Sequence, residues 1–91
     1  MSTKEKTQKK TKVETQKASE NEIVVFNDDY NTFDHVIETL IATCDHSPTQ
    51  AEQCTIIIHY KGKCGVKSGS YEELKPRCLE ILDAGISAEI I

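Results

Sequence analysis

At 91 residues, with 11 Lys and Arg against 15 Asp and Glu and a formal charge of −4, the chain has room for one small domain and none for a large internal catalytic cavity. Its longest apolar runs reach four residues, against the roughly 20 that a bilayer span needs, and the lysines near the N-terminus are followed by polar residues in place of a leader's apolar stretch. The expectation is a cytoplasmic protein that has no dealings with a membrane.

Charge and hydrophobicity divide the chain in two. Residues 1–21 hold six Lys, three Glu and no aromatic, Gly or Pro, and their only apolar members are Met1, Val13 and Ala18. Such a segment cannot bury enough surface to offset the entropy of ordering, so 1–21 is expected to be a disordered arm and 22–91 the single folded domain. The arm's lysines would attract nucleic acid or an acidic partner, but it lacks the aromatics on which single-strand binders stack bases. A tethering tail, with no nucleic-acid partner, is the expectation.

The run Glu22 to Phe26 is β-branched and ends at the polar Asn27-Asp28-Asp29, the pattern of a buried strand entering a turn. A first helix follows. Thr32 suits its N-cap, Asp34 its positive end, and Phe33, Val36, Ile37, Leu40, Ile41 and Cys44 recur at helical spacing. Ser47-Pro48-Thr49-Gln50 opens a second helix with a capping box and Pro at the first helical position, placing Ala51, Cys54 and Ile58 on one side. Its end is ambiguous, since Thr55 to Tyr60 is rich in β-branched residues and local propensity favours a strand.

Gly62 marks a break, and Cys64 to Lys67 reads as a short strand. Ser70 to Glu73 is another capping box, from which Tyr71, Leu74, Cys78, Ile81 and Leu82 keep helical spacing as far as a left-handed stop at Gly85. Pro76 within this third helix predicts a kink or an irregular start. Ser87 to Ile91 reads as a last strand. The order β-α-α-β-α-β describes an α+β fold, one small sheet covered by helices.

The four cysteines, Cys44, Cys54, Cys64 and Cys78, lie 10, 10 and 14 residues apart with no C-x-x-C pair. Zinc motifs need closer ligand pairs, so these are read as free core thiols, with neither metal nor cofactor. Among catalytic signatures, no nucleophile elbow, phosphate loop, dinucleotide fingerprint or zinc-protease motif is present, and the chain is not expected to be an enzyme. What stands out is a pair of polar clusters beside apolar elements, Asn27-Asp28-Asp29-Tyr30 and His59-Tyr60-Lys61-Gly62. Taken singly, the first is ordinary turn chemistry and the second holds a lone His, more often structural than a ligand.

Taken together, an N-D-D-Y turn after a hydrophobic strand, and a His within H-Y-x-G-K 32 residues after the Asn, resemble the ClpS family of protease adaptors. The likeness runs from about Ile23 to Ile91 and includes the later Cys64-Gly65-Val66. It implies three helices over a small three-stranded antiparallel sheet, with the segment ending at His59 helical. It also implies a monomeric adaptor that binds substrates bearing an N-terminal Leu, Phe, Tyr or Trp. These pass to a Clp AAA+ unfoldase of the ClpA or ClpC type and its ClpP protease.

By matching position, Asn27, Asp28, Asp29 and His59 would hold the substrate's free α-amino group, and Asn31, Phe33, Val36, Thr55 and Ile58 would line the pocket for its first side chain. Ser70, Glu72 and Lys75 would face the unfoldase, and the arm would be engaged during delivery. Three departures stand out. Asn31-Thr32-Phe33 replaces the usual Thr-Pro-Met, giving a bulkier and stiffer gate; Thr55 stands where Met is common, making one wall more polar; and two residues are missing between Lys63 and Gly65. A competing reading is an interaction module like the C-terminal domain of the ribosomal stalk protein, in which Asn27 and His59 would be superfluous.

Overall fold

A computed structural model describes residues 20–91; residues 1–19, and with them nearly all of the expected arm, lie outside the described residues. The chain forms β1 (Asn21–Phe26), α1 (Phe33–Cys44), α2 (Pro48–Lys61), β2 (Lys63–Gly69), α3 (Tyr71–Asp83) and β3 (Ala88–Ile90). The sheet has the order β2-β1-β3, and both pairings are antiparallel. This is the expected β-α-α-β-α-β architecture, with the first strand beginning at Asn21, inside the expected arm.

Local chemistry starts each helix. Thr32 Oγ1 accepts the His35 N–H at 3.1 Å, Ser47 Oγ accepts that of Gln50 at 3.1 Å, and Ser70 Oγ accepts that of Glu73 at 3.2 Å. Each bond satisfies one of the orphan donors of a first helical turn. The ends are as specific. Gly62 takes the left-handed conformation at φ 94° and returns its N–H to Ile58 O at 2.9 Å, stopping α2. At the end of α1, Asp45 adopts φ 58°, and Arg77 from α3 donates to both Thr43 O at 2.8 Å and the Asp45 carboxylate at 3.2 Å. A cation there complements the negative end of the helix.

One ambiguity of the sequence is resolved by packing. Residues Thr55 to Ile58 are helical, because Ala51, Thr55 and Ile58 then form one buried stripe while Ile56 and Ile57 stay about 40% exposed. Strand alternation would have placed Ile57 inside with Thr55 and left Ile58 out. α3 begins regularly, with Leu74 N–H donating to Ser70 O at 3.0 Å, and runs unbroken to Asp83 with Pro76 on an exposed position. Of the kink or irregular start expected from Pro76, the irregular start is therefore absent.

The core lies between the helices and one face of the sheet. Ile23 and Val25 of β1 meet Leu40 and Cys44 of α1, Ala51 and Ile58 of α2, Val66 of β2, and Leu74, Cys78 and Ile81 of α3. A register shift beside Val24 makes Val66 the unpaired residue of a bulge, and its side chain is buried.

Candidate functional site

The end of β1 is tied to the end of α2. Phe26 pairs with Lys63, and the Asn27 N–H donates to Gly62 O at 2.9 Å, so the first polar cluster starts beside the cap that follows His59. The two motifs, distant in sequence, meet because β1 and β2 are antiparallel neighbours.

Asp28 then folds the loop. Its Oδ1 accepts the N–H groups of Tyr30 and Asn31, each at 2.9 Å, and its Oδ2 accepts from Asn31 Nδ2 at 2.7 Å. These bonds, the Asn31 N–H foremost and against the opposing pull of partial burial, hold the Asp28 carboxyl below its usual range. Asn31 Nδ2 also donates to Gly85 O at 2.9 Å, and His35 Nε2–H donates to Ala84 O at 2.8 Å. The loop and the start of α1 are thereby pinned to the end of α3.

This arrangement separates the two aspartates. Asp28 is spent on the loop, whereas among the described residues nothing engages the exposed Asp29 carboxylate. Replacing Asp28 with Ala is expected to lower stability by about 0.5–2 kcal/mol, the range of a lost capping side chain, and Asp29→Ala to change it by less than about 0.5 kcal/mol. Urea denaturation of both variants checks this; equal losses would show that Asp28 does not brace the loop. Because the folded-state pKa of Asp28 is depressed, its contribution is complete above the unfolded carboxylate value of about 3.9 and disappears as pH falls through the lower folded value.

Behind the loop opens a cleft of about 340 Å³, at the small end of the range for pockets that enclose organic groups. It brings together every residue expected at the α-amino site and pocket: Asn27, Asp28, Asp29, Asn31, Phe33, Val36, Thr55, Ile58 and His59. Thr32 lines it too, a residue the sequence marked only as a helix cap. Val36, Thr55 and Ile58 are buried in its floor, Phe33 is 42% exposed, and Asn27, Asp29 and His59 are exposed at its rim. The Thr55 hydroxyl donates to Ala51 O at 2.7 Å, so its proton is committed to the helix while its oxygen can still accept.

His59 stands between two rings. Its centroid is 5.3 Å from that of Phe33 at an interplanar angle of 71°, and 4.9 Å from that of Tyr60 at 82°. Ser70, Glu72 and Lys75 are exposed in the cap and first turns of α3 and lie outside the cleft; the Ser70 hydroxyl serves as the helix cap.

The family model described as "ATP-dependent Clp protease adaptor protein ClpS" matches residues 16–88. The chain belongs to the ClpS family. Members of this family are non-catalytic adaptors of the Clp protease. The chain is 33% identical over 72 residues to the ClpS adapter of Acetivibrio thermocellus, a match covering 79% of this chain and 73% of that one. To the ClpS adapter of Maricaulis maris it is 30% identical over 82 residues, covering 88% and 73% respectively. The fold is shared with Agrobacterium tumefaciens ClpS2, whose structure was solved bound to L-phenylalaninamide, at a TM-score of 0.72 and 18% identity over 80% of this chain and 98% of the other.

Among the described residues, no group of three or more His, Cys, Asp and Glu side chains is placed to hold a metal ion, and no helix is long and apolar enough to cross a membrane. Cys44 and Cys78 pack in the core, while Cys54 and Cys64 are half-buried. Burial foremost, with the neighbouring Cys64, pushes the Cys54 thiol up to about 11.

Proposed function

We propose that the cleft binds the free α-amino group and first side chain of substrate proteins that begin with Leu, Phe, Tyr or Trp. The chain then delivers them in the cytoplasm to a Clp AAA+ unfoldase of the ClpA or ClpC type, which feeds ClpP. The observation that carries this reading is the union in one cleft of an acceptor-rich rim, Asn27, Asp29 and His59, with a buried floor of Val36 and Ile58.

An ammonium group brings three donors and a positive charge. The Asn27 amide oxygen, the Asp29 carboxylate and an unprotonated imidazole nitrogen of His59 are complementary acceptors, and charge assistance strengthens each bond. Asp28 already accepts three hydrogen bonds that hold the loop carrying Asp29, which leaves Asp29 the freer carboxylate for this contact. The apolar floor suits a large hydrophobic side chain, whose burial is worth roughly 1.5–3 kcal/mol. The ligand of the Agrobacterium protein, an amino acid amide with a free amino group and a Phe side chain, has both features. The exposed start of α3, with Ser70, Glu72 and Lys75, is the surface proposed to face the unfoldase.

Titrating the protein with peptides that differ only in the first residue tests the reading. Leu, Phe, Tyr and Trp are expected to bind roughly ten- to a hundredfold more tightly than Gly, Ser or Lys, the ratio set by burying one large apolar side chain. A flat profile across first residues would refute it.

A further inference from the structure

His59 occupies the last turn of α2, and among the described residues no hydrogen bond holds its imidazole. An exposed His with two free torsions samples several rotamers, only some of which turn a nitrogen toward a ligand in the cleft. The restraint on this ring is aromatic: Phe33 and Tyr60 each present a T-shaped contact to it, at 5.3 and 4.9 Å between centroids. Both distances lie where edge-to-face pairs attract.

The two neighbours are not equivalent. Tyr60 is 78% exposed and follows His59 on the same helix turn, so it moves with the residue it would steady. Phe33 is 42% exposed and sits at the first position of α1, where the Thr32 cap fixes the backbone and the His35 to Ala84 hydrogen bond pins the helix to α3. Phe33 therefore presents its ring from a different, anchored element, against which the imidazole can be oriented.

We propose that Phe33 is a positioning residue, whose T-shaped ring contact sets the His59 imidazole in the orientation that meets the substrate's ammonium group. The proposal rests on the N-degron reading above and adds a role that a merely apolar wall would not need. An aliphatic side chain at 33 would fill the same space in the cleft and leave the imidazole free to turn. The gain is preorganisation: a ring already in place loses no torsional freedom on binding.

The test is a double-mutant cycle read by fluorescence anisotropy with a Phe-initiated peptide. Phe33→Leu is expected to weaken binding about threefold to tenfold, the range of an aromatic pair, whereas Phe33→Tyr, which keeps the ring, retains the affinity. In a His59→Ala background Phe33→Leu is expected to have no further effect. Additive losses, or equal losses from Leu and Tyr, would overturn the proposal by showing that Phe33 acts only as a wall. Side-chain NMR couplings of His59 in the peptide-free protein provide a readout independent of binding: one χ1 rotamer in the wild type, and averaging in Phe33→Leu. Averaging already present in the wild type would overturn the proposal. If instead the wild type fails to distinguish free from blocked peptides, the N-degron reading falls while the couplings still decide whether Phe33 orients His59.

Discussion

Acetylating the α-amino group of a Phe-initiated peptide is expected to weaken its binding at least a hundredfold, an effect close to abolition at ordinary peptide concentrations. The reaction changes one nitrogen and leaves the side chain that fills the cleft untouched. It removes the positive charge and two of three donors, so the rim acceptors Asn27, Asp29 and His59 are left with one N–H among them. An acceptor that loses its partner on binding costs about 1–3 kcal/mol, and more when it is charged, as Asp29 is. Two such losses correspond to roughly thirtyfold or more, and the acetyl carbonyl adds repulsion by bringing an oxygen toward a carboxylate. Calorimetry on matched free and acetylated peptides measures the ratio. Equal affinities would mean that the rim does not read the amino group, and the adaptor mechanism proposed for this cleft would be lost.

The features most legible in the sequence are those with local causes. Thr32, Ser47 and Ser70 each cap the helix they were expected to cap, because an N-cap needs only a hydroxyl and the next few backbone N–H groups. The end of α2 was ambiguous for the opposite reason. Thr55 to Ile58 is β-branched, and only the burial of Ala51, Thr55 and Ile58 along one stripe overrides that preference.

The cleft shows the same division. N-D-D-Y and the later His pointed to its rim and the family resemblance to its floor, yet neither showed how Asp28 and Asp29 divide their labour, since this depends on which carboxylate the turned backbone offers to the Tyr30 and Asn31 N–H groups. Nor did the sequence show that Asn31 would reach Gly85, near the other end of the chain, or that the Phe33 and His59 rings would meet in a T-shaped contact. Both are tertiary contacts made by docking α1 against α2 and α3.

The docking of α3 leads to the second large effect, on stability. Leu74 and Leu79 belong to the same helix, but Leu74 is 0% exposed within the core and Leu79 is 52% exposed. Leu74→Ala is expected to destabilise the protein by about 2–5 kcal/mol, the sum of lost transfer energy and a residual cavity, and Leu79→Ala by well under half of that. At about 0.05–0.15 kcal/mol per residue, a domain of this size has only some 4–10 kcal/mol in total, so the first change leaves the native state barely populated under mild denaturant. The cleft is affected through the fold, because the carbonyls of Ala84 and Gly85 just past α3 hold His35 and Asn31. A saturating Phe-initiated peptide is therefore expected to raise the urea midpoint of Leu74→Ala, since a ligand that binds only the native state stabilises it by mass action. Urea unfolding of both variants, with and without peptide, measures all three quantities. If the two leucines cost the same, Leu74 is not a core residue, and if the peptide leaves the midpoint unmoved, the native cleft is not where it binds.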